Sequence, residues 1–367
     1  AAVAAVAAAL LSASCSTTKN IPENDQLFIG LEKIKYHNYE DNDHFNSTKE
    51  EVEAALATAP NGALFGSSYY RNPFPYGLWI WNAFSGSDNK IAQWITRTFG
   101  KAPVLMRRVN PELRASVAQS VLRNHGYLNG TVDYDVITQK NPKKAKIGYT
   151  VNAGRLFTVD TLEYADFPET SDSLIRMTRQ YAEISAGSPF DVSMMDAERN
   201  RIARLFRNNG YYYYQPGFAS YLADTIAGQG KVKLRLQMAG NLPAAVRRKW
   251  YIGKITIDMR RQFADELTDS FSHRYFTVRF RGRKPPVRPR IILSNLKLRP
   301  RRQFSYDQYT ESANKINSSG LFSSVEFNFT PRDTTGKNDT LDVNLACTFN
   351  KPYDFYIETN YKNKING

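Results

Sequence analysis

Hydrophobic positions along the chain follow two different periods. Residues 130–136 and 323–329 place an apolar side chain at about every second position, which predicts strands with one buried and one exposed face. Ile202, Leu205 and Phe206 are instead spaced three and four positions apart, as on one side of a helix. The chain is therefore predicted to mix short strands with amphipathic helices.

One helical pattern occurs three times. Each copy ends in two polar residues, a glycine and an apolar residue; the copies are residues 118–127, 201–211 and 313–321. Because glycine adopts the left-handed conformation without a Cβ penalty, Gly126, Gly210 and Gly320 are predicted to end these helices.

Strand patterns surround each of these helices. A strand and a first helix are predicted before it and two strands after it, so each unit has the order β-α-α-β-β. Two helices on one face of a three-stranded sheet make an α+β fold. In the second unit we expect the first helix at about 171–184, with an N-cap for the second helix at Asp191 or Ser193.

These patterns predict three tandem repeats. Repeat 1 covers 26–154 and contains an aromatic insertion at 61–106, repeat 2 covers 155–240, and repeat 3 covers 247–350 with a basic insertion. The tryptophan-rich segments 78–84 and 91–99 of the aromatic insertion have two interpretations. They either pack as an extra lobe on repeat 1 or contact a membrane interface, where tryptophan is favoured.

The first fifteen residues indicate export. Residues 1–11 are all apolar, fewer than the about 20 needed to span a bilayer, and small residues precede Cys15, as in a secretory signal. The segment resembles the lipobox of bacterial lipoproteins, in which such a cysteine is acylated, although Ser12 replaces the usual leucine. The alternative is a plain secretory signal. We expect a signal at 1–15, a tether at 16–25, and Cys347 as a small buried strand residue.

The positive charge is concentrated in one segment. The chain has a net charge of +14, and residues 247–302 contain 17 basic and 4 acidic residues. This segment predicts an anionic partner, and export removes nucleic acid from the candidates. The residues predicted to contact anionic lipid or an acidic partner are Arg279, Arg281, Arg283, Lys284, Arg288 and Arg290. A merely solvated face is the alternative.

Motifs for catalysis are missing from the sequence. None of the four histidines lies in H-E-x-x-H, and there is no G-x-S-x-G, Walker loop or C-x-x-C. We therefore predict no enzyme activity and no catalytic, cofactor or metal site. His125 is interpreted as a solvated residue at a helix end.

The repeated helix-Gly-apolar-strand step and the loop Gly187-Ser-Pro-Phe190 resemble POTRA domains of the BamA/TamA outer-membrane barrel-assembly superfamily. With the lipobox, the chain most resembles TamL, the lipoprotein relatives of TamA, over roughly residues 10–361. The family continues into a β-barrel, so 351–367 is expected to be the start of one that is otherwise missing.

The resemblance implies a periplasmic scaffold in outer-membrane protein assembly or translocation, lipid-anchored to the outer membrane with its repeats facing the periplasm. Its implied partners are unfolded outer-membrane protein clients, a TamB-like periplasm-spanning protein and outer-membrane lipids. Clients would add a strand to a sheet edge, most simply at the second strand of a repeat. The alternatives are a gating domain of a dedicated outer-membrane exporter and a free-standing periplasmic binding lipoprotein.

Overall fold

The fold is α+β, as predicted. The structure is a computed structural model that describes residues 17–225, 230–262, 264–333 and 338–350. Cys15 and the segment 351–367 lie outside the described residues. The chain forms two compact units: Ala1–Leu162, Ile184–Met195 and Ala223–Leu234 make the first, and Glu163–Glu183, Asp196–Leu222 and Arg235–Gly367 make the second. Within the described ranges, no helix is long and apolar enough to cross a membrane.

The first sheet belongs to the first unit. Its strands are β1 (Leu27–Leu31), β2 (Lys35–His37), β3 (Thr131–Thr138) and β4 (Lys144–Asn152). The central strand is β4, which pairs in parallel with β1 and then β2 on one side and antiparallel with β3 on the other. The first strand predicted for repeat 1 is thus divided into two short strands, β1 and β2, which pair with the same neighbour.

Two helices of the first unit pack against each other and bury one face of this sheet. They are α1 (Asp43–Leu56) and α5 (Pro111–Asn124). The side chain of Asn42 caps α1 by accepting from the amide of Phe45, and Pro111 begins α5 where no amide donor is needed. The core between helices and sheet includes Phe28, Phe45, Val52, Leu122, Ile147 and Tyr149.

The aromatic insertion forms helices between α1 and α5. They are α2 (Tyr76–Phe84), α3 (Lys90–Phe99) and α4 (Met106–Val109). Leu78 of α2 is buried with Ile21, Leu27 and Ile29 in a small apolar cluster beside β1. The insertion is therefore packed on the first sheet.

The second sheet has the order β5-β7-β6, from β5 (Thr158–Ala165), β6 (Ala219–Asp224) and β7 (Lys231–Met238). Its helices are α6 (Glu169–Met177) and α7 (Val192–Asn208). The helix expected over 171–184 ends earlier, at Met177, and a short 3-10 turn at Arg179–Tyr181 follows it. The predicted cap at Asp191 is confirmed, since its Oδ1 accepts from the Ser193 amide at 2.7 Å.

The third sheet belongs to the second unit and is wider than the three strands predicted. Its order is β11-β12-β8-β10-β9, from β8 (Tyr251–Arg260), β9 (Asp269–His273), β10 (Phe276–Phe280), β11 (Phe322–Pro331) and β12 (Thr340–Phe349). The basic insertion supplies β9 and β10, and β10 pairs in parallel with β8. Three helices complete this part: α8 (Ala244–Arg247), α9 (Arg290–Asn295) and α10 (Tyr306–Asn317). Cys347 is a buried strand residue, as predicted, and burial raises its pKa to about 12.

A glycine with positive φ follows each of the three helices, as predicted. Gly126 and Gly210 lie two residues after the last helical residue, and Gly320 lies three residues after Asn317. Their φ angles are +89° at Gly126, +96° at Gly210 and +69° at Gly320, all in the left-handed region. A Cβ at Gly126 would lie 2.5 Å from the carbonyl oxygen of Phe190. Glycine is therefore required at this position for space as well as for conformation.

Gly126 and Gly210 each begin a similar series of two backbone hydrogen bonds. In the first unit, the Gly126 carbonyl accepts from the Phe157 amide at 2.9 Å, and the Phe157 carbonyl accepts from the Phe190 amide at 2.9 Å. The corresponding bonds in the second unit run from Trp250 N to Gly210 O at 2.8 Å and from Phe304 N to Trp250 O at 2.9 Å. Each series connects the end of one helix to the residue before the first strand of the following repeat and to the loop before the second helix of that repeat. We call them the first and second junctions.

Candidate polypeptide-binding edges and the basic segment

Three strands follow the glycine-ended helices, and each lies at an edge of its sheet. Among the described strands, β3 pairs only with β4, β6 only with β7, and β11 only with β12. An edge strand presents a row of backbone N–H and C=O groups to which another extended chain can pair. The second strand of each predicted repeat is therefore an open edge of its sheet, and β9 is a further open edge of the third sheet.

The opposite edges are covered to different extents. At β1 the Phe28 amide donates to the Val104 carbonyl and the Leu31 amide to the Ser68 carbonyl, both at 2.8 Å, so the aromatic insertion occupies this edge. At β8 the added strand β10 pairs with the side that would otherwise be exposed to solvent. At β5 the Val159 amide donates to the Ser188 carbonyl at 2.8 Å. The first strands β1 and β8 are thus not open to an incoming strand, whereas β5 is bonded to the following loop at Val159 and β9 forms the outer edge beside β10.

The edge at β3 combines backbone groups with apolar side chains. Tyr134, Val136 and Ile137 are each close to 40% exposed. Beside the strand, a groove of about 300 Å³ separates β3 from α5; it is lined by Glu112, Ala115, Ser116, Gln119, Val132, Asp133 and Tyr134. The Gln119 amide holds α5 to the start of β3 by donating to the Gly130 carbonyl at 2.9 Å. An added strand could pair with β3 while its side chains enter this groove.

The predicted basic contact residues do not share one environment. Arg279 lies on β10, and its guanidinium donates twice to the carboxylate of Asp258, both bonds at 2.6 Å. Asp258 is buried, so this pair holds β10 against β8 and stabilises the fold. Arg281 is exposed and lies 3.4 Å from Asp265.

The other four predicted residues follow β10. Arg283, Lys284, Arg288 and Arg290 are all exposed, and none forms an ion pair within the described part of the chain. Among the six predicted contact residues, these four have side-chain charges that an external anion can reach. Their contact with lipid or an acidic partner stays a prediction.

The structure contradicts the interpretation of His125 as a solvated residue. Its Nδ1 lies 2.9 Å from Asp191 Oδ2 and its Nε2 lies 3.0 Å from Glu51 Oε2, while only 15% of the side chain is exposed. Burial by itself lowers the pKa of His125, but the hydrogen bonds to Glu51 and Asp191 outweigh it and raise that pKa overall. The first junction is thus bridged by a titratable group.

The second junction uses different side chains. Asp307, in the first turn of α10, accepts from Arg204 at 2.9 Å and from Asn208 at 2.7 Å. Tyr212 packs edge-on against Phe304 at 4.9 Å between ring centroids. No histidine takes part in these contacts.

The described residues include no cluster of three His, Cys, Asp or Glu side chains arranged to hold a metal ion.

Comparisons with known proteins give structural neighbours only. No protein-family profile matches the chain, and no curated protein matches it. A crystal structure of POTRA domains 3–5 of Haemophilus influenzae BamA is similar with a TM-score of 0.41 and 11% identity, covering 90% of this chain and 99% of that one. POTRA domains 1–3 of Omp85 from Anabaena give a TM-score of 0.27 and 10% identity, covering 90% and 98%. All of these scores are too low to assign a family or a function.

Proposed function

We propose that the chain is a POTRA-type periplasmic scaffold of an outer-membrane protein assembly or translocation factor, which binds polypeptides by strand addition. The observation that carries this proposal is the repeated position of the open edge. In all three sheets the strand after the glycine-ended helix, β3, β6 or β11, has one unpaired side among the described strands.

The recurrence of the junctions supports a tandem arrangement. The same hydrogen bonds follow Gly126 and Gly210, and they join elements in the same order. Repeats built this way present several equivalent edges along one chain, which suits a factor that handles long, extended polypeptides. Backbone pairing gives affinity without demanding a particular sequence.

The proposed partners follow from the same chemistry. Extended segments of unfolded outer-membrane proteins would pair with the open edges, and a TamB-like periplasm-spanning subunit is a further candidate. Acylation of Cys15 would hold the chain at the outer membrane with its repeats in the periplasm, as in the TamL lipoproteins that the sequence resembles. The exposed cations Arg283, Lys284, Arg288 and Arg290 would contact anionic lipid there.

Photo-crosslinking tests the proposed edge directly. A photoreactive phenylalanine at Tyr134 on β3 is expected to capture unfolded outer-membrane protein segments of unrelated sequence. The matched control is the same substitution at Tyr181, which is 66% exposed but lies in a 3-10 turn instead of a sheet edge. Equal capture at Tyr134 and Tyr181, or capture at neither, contradicts strand addition at β3.

The affinity pattern separates this proposal from a gate for one exported substrate. Strand addition by many clients predicts weak binding that differs little between client sequences, whereas a dedicated exporter predicts tight binding of one ligand. Titrating peptides from several outer-membrane strands, and their scrambled but equally extended versions, distinguishes the two.

A further inference from the structure

An exposed aromatic surface lies in the insertion of the first unit, away from the polypeptide-binding edge described above. The insertion, residues 61–106, contains three of the four tryptophans of the chain. Its exposed side chains include Phe65, Tyr70, Phe74, Tyr76, Ile91, Trp94 and Phe99. We call this set the aromatic surface. The closed edge at β1 does not depend on these side chains, because it uses backbone atoms of Ser68 and Val104.

The tip of the insertion holds an apolar side chain fully in solvent. Phe65 is completely exposed and has φ +50° and ψ 31°, a left-handed conformation that is uncommon for a bulky residue. Two backbone bonds fix the turn around it, from Leu64 N to Tyr70 O at 3.0 Å and from Ser67 N to Leu64 O at 2.9 Å. An exposed phenylalanine on a fixed turn is suited to enter an apolar medium.

Helix α3 has the composition of a helix that lies in a membrane interface. Ile91, Trp94 and Phe99 fall within one stripe at helical spacing, and each is more than half exposed. Lys90 and Arg97 are exposed on the same helix. Apolar and aromatic side chains next to basic ones are typical of helices that bind at the headgroup level of anionic bilayers.

The position of the predicted lipid anchor decides which partner covers this surface. Asn20 Nδ2 donates to the carbonyl of Asn82 at 3.4 Å and lies 3.3 Å from the hydroxyl of Ser85, at the end of α2, and Ile21 is buried against Leu78. The chain is thus attached to the insertion at Asn20, five residues after Cys15. Five residues span at most about 18 Å, so an acyl chain on Cys15 would keep the insertion next to the bilayer.

We infer that the aromatic surface is a second membrane-attachment site, which docks onto the same bilayer leaflet that holds the acylated Cys15. This inference rests on the proposed lipid anchoring for its geometry, but the surface itself contains no residue of the anchor. The insertion then fixes the orientation of the first unit at the membrane.

The test is flotation of the chain 16–367, which lacks Cys15 and retains every described residue, with vesicles of phosphatidylethanolamine and phosphatidylglycerol. Wild type is expected to float with the vesicles, and tryptophan fluorescence is expected to be quenched by brominated lipid, because Trp250 is buried and the other three tryptophans lie in the insertion. The triple variant Phe65→Asn, Trp94→Gln and Phe99→Gln should lower the partition coefficient at least about tenfold.

A matched control removes equally exposed apolar groups elsewhere. Met177→Gln, Tyr181→Gln and Leu222→Thr change side chains that are 52% to 77% exposed, and partition should stay as in wild type. Absence of wild-type flotation, or equal flotation of the Phe65, Trp94 and Phe99 variant, overturns the inference. Acylation of Cys15 is measured separately by mass spectrometry of the membrane-bound protein, so failure of the anchor and failure of the surface are distinguished.

Discussion

The first and second junctions share the same backbone hydrogen bonds but differ in their side-chain contacts. Both begin at a glycine with positive φ and continue through two backbone hydrogen bonds to the loop before the next second helix. In the first junction, a mostly buried His125 bridges two carboxylates, whereas an amide and an arginine contact Asp307 in the second. The glycine and the main chain thus set the connection, and side chains adjust how each junction responds to its surroundings.

Alanine at the three glycines should destabilise the protein in a fixed order. Gly126→Ala should cost about 3 kcal/mol or more, because left-handed strain adds to a Cβ placed 2.5 Å from the Phe190 carbonyl. Gly210→Ala should cost about 1–2 kcal/mol, since its Cβ would meet Lys249, whose Cβ is the nearest atom at 3.1 Å, and Gly320→Ala about 1 kcal/mol, since nothing lies within 4 Å. Denaturant unfolding measures the series. A larger effect at Gly320 than at Gly126 would contradict the packing account.

The first junction should lose stability as the pH rises. The pKa of His125 is raised above its ordinary value of 6.5 by Glu51 and Asp191, which outweigh burial. A raised folded-state pKa gives stabilisation that is complete below the unfolded value and is lost as the pH rises through the folded value. Comparing hydrogen exchange at Phe157 and Phe190 at about pH 6 and about pH 8.5 should show faster exchange at the higher pH.

The variant His125→Gln is the control for this effect. Glutamine can still donate and accept, but it does not titrate, so the pH dependence of exchange in the first junction should disappear after correction for intrinsic rates. Trp250 and Phe304 in the second junction should show no such dependence in either protein. A persistent pH effect in His125→Gln would assign the titration to another group.

The smallest effect is expected from the ion pair of the second junction. Asp307→Ala removes the bonds from Arg204 and Asn208, but Arg204 and Asp307 are 68% and 47% exposed, so solvent screens the pair. A loss of about 0.5–1 kcal/mol is expected, and it should shrink in high salt. A loss as large as that of Gly126→Ala would mean that side chains, and not the backbone, hold the second junction.

Features that depend on neighbouring residues could be predicted from the sequence. The glycine ends of the helices, the cap at Asp191 and the burial of Cys347 follow from local spacing and conformational preference. Each requires only a few adjacent residues, so periodicity and side-chain chemistry were sufficient.

Features that depend on distant residues could not be predicted from the sequence. The partners of His125 lie 74 and 66 positions away at Glu51 and Asp191, and no local pattern indicates that they meet. The pairing of Arg279 with buried Asp258 also could not be predicted, because the sequence pattern groups Arg279 with the exposed cations. The extension of the third sheet by β10 and β9 also arises from pairing with β8, which the basic composition of the insertion does not show.

The most direct measurement of the central proposal is hydrogen exchange of the chain with and without an unfolded outer-membrane protein segment. Strand addition predicts new protection of amides within Thr131–Thr138 of β3, while Leu27–Leu31 of β1, whose edge is already bonded to the insertion, should remain unchanged. Protection that is absent from β3, β6 and β11, or confined to the helices, would contradict the proposal that these open edges bind polypeptides.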